Sequence, residues 1–265
     1  MPGPARLLTR REDLERVYAE LLHPSFPPEE LLPLSWLVDG TAAGRVRVLA
    51  LHDDDGPAAV AVTERLEPSR AVLLAYFATR RSSRGAGVGS RLYRALLDDT
   101  LLGRPPSMLL AEVERPDRHT ASVEHGDPEA RLRFYARHGA RVLDLPYFQP
   151  PIGPGAAPVH GMLILALWVD PALVSEDGQT LTDTADLASA MEAMLPGADD
   201  LDAETGGAAE RLRRATRASH VRILDAASYA EVAVSDPPSA SSGAGAAHHQ
   251  GQLHPVDDPD LGHDP

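Results

Sequence analysis

The sequence predicts a mixed α/β (α+β) fold, a mostly antiparallel central sheet of about seven strands with flanking helices, followed by a C-terminal appendage. Three observations carry this. Short apolar runs rich in β-formers recur at 45–52, 58–66, 71–79, 108–114, 141–147 and 161–168, with turn residues between them. The run 71–79 feeds a glycine-rich turn, an amphipathic segment and another apolar run, an order suited to a right-handed parallel crossover. Beyond Asp170 the composition shifts: residues 171–265 hold 17 acidic and 5 basic side chains, so most of the net charge of −14 lies there. The expected division is therefore 1–170 as the main domain, 171–234 as an acidic, partly helical extension and 235–265 as a disordered tail too poor in bulky apolar residues to order itself.

In chain order, Ala5 to Thr9 reads as a first strand. Thr9 and Glu12 have capping-box spacing for a helix over 11–23, and Ser25 with two prolines restarts a helix to about Val38. Asp53-Asp54-Asp55-Gly56 is turn chemistry between two antiparallel strands, and Glu67 to Arg70 turns into the third. Val88, Leu92 and Leu96 give a helix over 89–102, which Gly103-Arg104-Pro105-Pro106 ends. Asp127-Pro128-Glu129 is an N-cap, a proline at the first helical position and an acid in the first turn, and Gly139 is a natural residue after the helix end. Short helices over 181–195 and 208–218, and a strand or helix at 221–224 and 229–234, complete the reading.

The central stretch is Ala71 to Thr79 followed by Arg80-Arg81-Ser82-Ser83-Arg84-Gly85-Ala86-Gly87-Val88-Gly89-Ser90. Three glycines in five residues let main chain approach a ligand closely, and the first N–H groups of the next helix have no intrahelical partner. With the positive end of the helix dipole and Arg80, Arg81 and Arg84 nearby, this is an anion cradle suited to a diphosphate. It is not a P-loop, since the chain has no lysine, and its glycine spacing is not that of a dinucleotide fingerprint. A connecting turn of no function is the bland alternative.

Arg84-Gly85-Ala86-Gly87-Val88-Gly89 resembles motif A of the GCN5-related N-acetyltransferases (the GNAT superfamily), and Arg131-Leu132-Arg133-Phe134-Tyr135-Ala136-Arg137-His138-Gly139-Ala140 resembles their motif B, with Ala140 where phenylalanine is common. The resemblance covers roughly residues 4–170. It implies a GNAT-like acyl-CoA N-acyltransferase fold and acetyl-CoA as co-substrate. Phe77, Ala78, Thr79, Arg84, Gly85, Ala86, Gly87, Val88, Gly89 and Ser90 would then hold the coenzyme, and the backbone N–H of Ala78 or a neighbour would polarise the thioester. It further implies Tyr135 as proton donor to the departing thiolate. Glu112 and Glu114, two apart on one strand face, are candidates for the general base, against the plainer reading of rim carboxylates paired with Arg115 or Arg118.

The absence of cysteine excludes disulfides and a thiolate nucleophile, so acyl transfer would be direct or use an oxygen or nitrogen nucleophile; the first reading is direct attack by a primary amine in a ternary complex. His119, His125, His138 and His160 lack paired metal spacing, and no metal is expected. The acidic balance speaks against nucleic acid, and the lack of an apolar leader or long apolar span against a membrane, so a cytoplasmic protein is expected. The acceptor, a small-molecule or peptide amine, carries no sequence code, and a homodimer built on the extension is compatible with the sequence. A non-catalytic CoA- or partner-binding protein on the same fold is the competing reading.

Overall fold

The computed structural model describes residues 2–83, 85–122, 126–152, 157–195 and 207–235. Of the tail expected over 235–265 only Ser235 is described, and Arg84 and His125 also lie outside the described residues.

One sheet of nine strands organises these residues: β1 (Arg6–Leu8), β2 (Val46–Asp53), β3 (Gly56–Arg65), β4 (Val72–Thr79), β5 (Met108–Glu114), β6 (Arg141–Leu143), β7 (Met162–Val169), β8 (Thr180–Leu181) and β9 (Val221–Asp225). Their spatial order is β1-β2-β3-β4-β5-β7-β6-β9-β8, and every pairing except the parallel β4–β5 is antiparallel. Seven strands precede residue 170. The last two extend the same sheet, with Val142 of β6 opposite Leu224 of β9.

Among the described residues six α-helices cover the sheet: α1 (Arg11–Val17), α2 (Leu34–Ala42), α3 (Val88–Leu101), α4 (Pro128–Arg137), α5 (Ala185–Met194) and α6 (Ala208–Thr216). Alternation along the strands sorts the apolar side chains into two faces. On one face, Leu14, Val17 and Leu37 of α1 and α2 pack over Val48, Val60 and Val62, while Leu187, Met191 and Leu212 of α5 and α6 pack over Leu110, Ile164 and Ile223. On the other, Val88, Leu92 and Leu96 of α3 and Leu132 of α4 pack over Ala61, Leu109 and Leu165.

The N-terminal helices differ from the sequence expectation. Arg10, not Thr9, is the N-cap of α1, and no side chain caps that end. The helix passes into a π-helical turn at Tyr18–Leu22, and α2 starts only at Leu34. Pro33 explains the late start: a proline restricts the residue before it to extended conformations and suits the entrance of a helix. The α4 entrance follows expectation, with the Asp127 carboxylate accepting from the N–H groups of Glu129 and Ala130 at 2.9 and 3.1 Å.

Arg115, at the end of β5, is 2% exposed. It does not pair with Glu112 or Glu114. Its guanidinium donates to the carbonyls of Val232 and Ala230 at 2.8 and 3.1 Å and to the Asp117 carboxylate at 2.8 Å. Buried guanidinium needs acceptors on every side, so this one side chain fastens residues 226–235 beside α4.

Candidate active site

β4 and β5 pair only over Val72–Leu109, Leu73–Leu110 and Leu74–Ala111, and beyond those residues they part. A β-bulge sits at the same place: Val62 opposes Tyr76 and Thr63 opposes Leu74, leaving Ala75 as the extra residue. β4 keeps its ladder to β3 and β5 keeps its ladder to β7, so a gap opens between them, lined by main chain. Which groups face it follows from alternation in the flanking ladders. The Arg80 N–H donates to Ala58 O at 2.9 Å, so those of Ala78 and Tyr76 also turn toward β3, and those of Phe77 and Thr79 turn into the gap. The Arg115 N–H donates to Gly161 O at 3.1 Å, so the peptide groups of Glu112 and Glu114 face the gap from the other side.

At the wide end of the gap the glycine loop enters α3. Gly87 is the N-cap with φ +72°, Gly85 has φ +81°, and nothing lies within 4 Å of where a Cβ would stand on either. Both conformations favour glycine, and the space beside them is open to a ligand. The fourteen-residue helix α3 opens there, and by helix geometry the N–H groups of its first turn, at Val88, Gly89 and Ser90, point out of its N-terminus with no partner inside the helix. A cleft of about 630 Å³ runs from this loop along the gap. Phe77, Ala78, Thr79, Gly85, Gly87, Val88, Gly89 and Ser90 line it, whereas Ala86 does not, and Arg84 lies outside the described residues. Of the other two loop cations, Arg81 lines the cleft, but Arg80 turns away to form an ion pair with Asp53. Arg131 and Arg137 on α4 also line it, two further cations that the sequence reading did not assign to it.

A second cavity, about 540 Å³, opens on the other face of the sheet. Leu74, Ala75 and Glu112 line both, together with Phe26 and Arg131, so the two cavities meet where the strands part.

Glu112 stands at that junction. Its carboxylate accepts from the Tyr147 hydroxyl and, at 3.4 Å, from the Gln149 amide. Burial pushes its pKa above the usual carboxylate range, opposed by those two donors and reinforced by the negative charge of Glu30. Glu114, on the same strand face, is tied instead to Arg131 at 3.3 Å and to His119 at 3.7 Å. The two carboxylates are thus unequal: one sits among neutral donors and the other in an ion pair. Tyr147 and Gln149, which set this difference, lie 35 and 37 residues along the chain from Glu112, so the spacing of the two acids on β5 gives no sign of it.

Tyr135 lies on the 630 Å³ cleft among edge-on rings, its centroid 6.4 Å from Phe77, 5.3 Å from Phe134 and 6.0 Å from Tyr93. Burial raises its pKa, so the phenol holds its proton at neutral pH. Phe134 packs beside Gly89, which explains how motif B and the glycine loop are held together.

An antiparallel β1–β4 meander, a bulge in β4, a parting of β4 from β5 and a glycine loop before α3 now stand together. The fold is GNAT-like. No protein-family model matches the chain, and no curated protein matches it. Among solved structures the chain is similar to one from Bacteroides thetaiotaomicron assigned to the GNAT family of acetyltransferases, with 28% identity, TM-score 0.47, and 60% of this chain and 85% of that chain covered. It is also similar to one from Desulfovibrio desulfuricans assigned to the same family, with 20% identity, TM-score 0.45, and 63% and 100% covered. A third is the GphF GNAT-like decarboxylase in complex with isobutyryl-CoA, with 16% identity, TM-score 0.43, and 63% and 100% covered.

Among the described residues no helix is long and apolar enough to cross a membrane, and no group of three or more His, Asp or Glu side chains is placed to hold a metal ion. Within the GNAT-like fold, Glu112, Tyr135 and the glycine loop thus come together around one gap, and Glu114 stands aside in its ion pair.

Proposed function

We propose that the protein is an acetyl-CoA-dependent N-acetyltransferase acting by direct attack of a primary amine in a ternary complex. The observation that carries this is the meeting of two cavities, from opposite faces of the sheet, at a carboxylate that has no cationic partner among the described residues. The fit to CoA rests on the loop: Gly85 and Gly87 leave open space beside unbonded helix N–H groups, which is where a pyrophosphate would be held. The peptide groups of Phe77, Thr79, Glu112 and Glu114 that face the gap offer donors and acceptors to the two amides of a pantetheine arm.

The chemistry follows from the positions. An alkylammonium entering from the acceptor side gives one proton to the Glu112 carboxylate, whose raised pKa makes it a better base than an ordinary surface acid. The amine nitrogen forms its bond to the thioester carbonyl carbon while the Phe77 N–H, the gap-facing neighbour of Ala78, stabilises the oxyanion. The carbon–sulfur bond then breaks, and the leaving thiolate takes a proton from the Tyr135 hydroxyl. The proton shed by the attacking nitrogen restores the phenol. The products are amide and free CoA thiol, with the first proton released from Glu112 to solvent.

The test is thiol release on incubation with acetyl-CoA and a panel of primary amines, alongside calorimetric titration with CoA. Binding of CoA and amine-dependent thiol release are expected. CoA binding without release from any amine would leave a binding protein, and neither heat nor thermal shift with CoA would remove the assignment altogether.

A further inference from the structure

The acceptor-side cavity carries more information about its occupant than a connection to the coenzyme cleft. Its floor is aromatic: Tyr76 meets Phe26 edge-on at 5.0 Å and Trp36 at 6.0 Å between ring centroids. The Tyr76 hydroxyl donates to the Glu30 carbonyl and accepts from the Leu32 N–H, at 3.1 and 2.9 Å, which fixes the ring in place. Opposite, Met162 of β7 and Met194 at the last turn of α5 add two flexible thioethers. Met194 comes from the residues after 170, so the extension supplies part of this wall.

The charges of the cavity are just as informative. Each of its arginines faces a carboxylate already: Arg45 pairs with Glu64, Arg65 with Glu67 at 3.7 Å and Arg131 with Glu114 at 3.3 Å. Glu112 has only the neutral donors Tyr147 and Gln149, and Glu30 adds further negative charge beside it. The junction therefore favours a cation and offers a second carboxylate nothing to bind. Phenyl, alkyl or similar apolar bodies suit the remainder, since contact with aromatic faces and thioethers needs no hydrogen bonds.

We infer that the acceptor is a lipophilic primary monoamine lacking a carboxylate, its ammonium at Glu112 and its apolar body between the Phe26–Trp36–Tyr76 rings and the Met162–Met194 wall. Met194 supplies apolar contact to the far end of that body. This inference rests on the transferase reading above, but it concerns the acceptor side alone and is tested there.

Two measurements on the full chain separate them. Thiol release is followed with 2-phenylethylamine, with phenylalanine, with a short peptide and with methylamine and hexylamine. Binding of 2-phenylethylamine and of phenylalanine to the CoA-loaded protein is measured by calorimetry. A carboxylate set against Glu112 and Glu30 adds like-charge repulsion, so kcat/KM for 2-phenylethylamine is expected to exceed that for phenylalanine by about 100-fold. Met194→Ala is expected to lower the hexylamine-to-methylamine ratio about tenfold, with CoA affinity as the check that the variant is folded. Equal or better turnover of phenylalanine or of the peptide overturns the inference while leaving the transferase intact, and so does a ratio unmoved in Met194→Ala. If no amine is turned over but 2-phenylethylamine still binds tens of times more tightly than phenylalanine, the transferase reading fails and the assignment of this cavity stands. Binding of neither overturns it.

Discussion

The two cavities that meet at Glu112 are built in opposite ways. The cleft proposed for the coenzyme draws most of its walls from within 74–83, 85–90 and 126–137, and what it offers a ligand is peptide N–H and C=O groups exposed by a bulge, a parting of strands and a helix start. The cavity proposed for the acceptor takes its walls from within 26–36, 45, 64–76, 112–114, 131, 149–152, 159, 162 and 193–194, and its character comes from side chains. Main-chain binding tolerates sequence change as long as the backbone path is kept. Side-chain binding changes with single substitutions, so the same fold can keep its donor while its acceptor varies.

That contrast is open to attack at several points. The largest expected effect is at the junction itself. Glu112→Gln keeps the shape and removes the base, and kcat/KM for the amine is expected to fall by about 10³-fold, as loss of a general base commonly does. Because burial raises the Glu112 pKa, the ionised base accumulates only as pH rises through that raised value. The wild-type kcat/KM should therefore climb with pH on a limb above the ordinary carboxylate range, and a profile in Glu112→Gln that keeps the limb would locate the base elsewhere. Glu114→Gln should leave the limb in place, since its carboxylate is held in an ion pair with Arg131.

Tyr135→Phe comes next, with kcat reduced about 100-fold and CoA affinity held, because only the proton donor is lost. Unchanged kcat would return Tyr135 to a packing role among Phe77, Tyr93 and Phe134. Gly87→Glu tests the main-chain side. It forces a side chain into a left-handed conformation and places a carboxylate at the anion cradle. The backbone strain alone is about 1–3 kcal/mol, so CoA should bind at least about tenfold more weakly in calorimetry. Wild-type affinity in that variant would mean that the cradle does not hold the coenzyme.

Arg115→Met probes neither cleft but the fastening beside them. It strands the Val232 and Ala230 carbonyls and is expected to lower unfolding free energy by about 2–4 kcal/mol, read in denaturant. A loss below about 1 kcal/mol would mean that residues 226–235 stay in place without it.

The outline of the site was legible in the sequence to the extent that it is local. Glycines at 85 and 87, the apolar spacing of α3 and the Asp127-Pro128 entrance of α4 act within a few residues of themselves, and the structure shows the left-handed turns and the cap they imply. Local rules failed where a longer-range effect won. The Thr9–Glu12 spacing suggested a cap that Arg10 takes instead, and Pro33 delayed α2. Arg80 looked like a loop cation, but Asp53, across the sheet on β2, claims it. The difference between Glu112 and Glu114 was invisible for the same reason: two acids on one strand face look alike until Tyr147 and Arg131 arrive from elsewhere.

By itself the sequence determined the strand–loop–helix unit and the left-handed turns that open its backbone, because helix starts, left-handed glycines and strand alternation follow from covalent geometry and hydrogen bonding between near neighbours. Only the tertiary structure decided which carboxylate stands free of a cation, which arginines are already occupied and that a methionine from beyond residue 170 reaches the acceptor wall. Those outcomes depend on burial and charge contributed by residues far apart in the chain, which meet only when the sheet has formed.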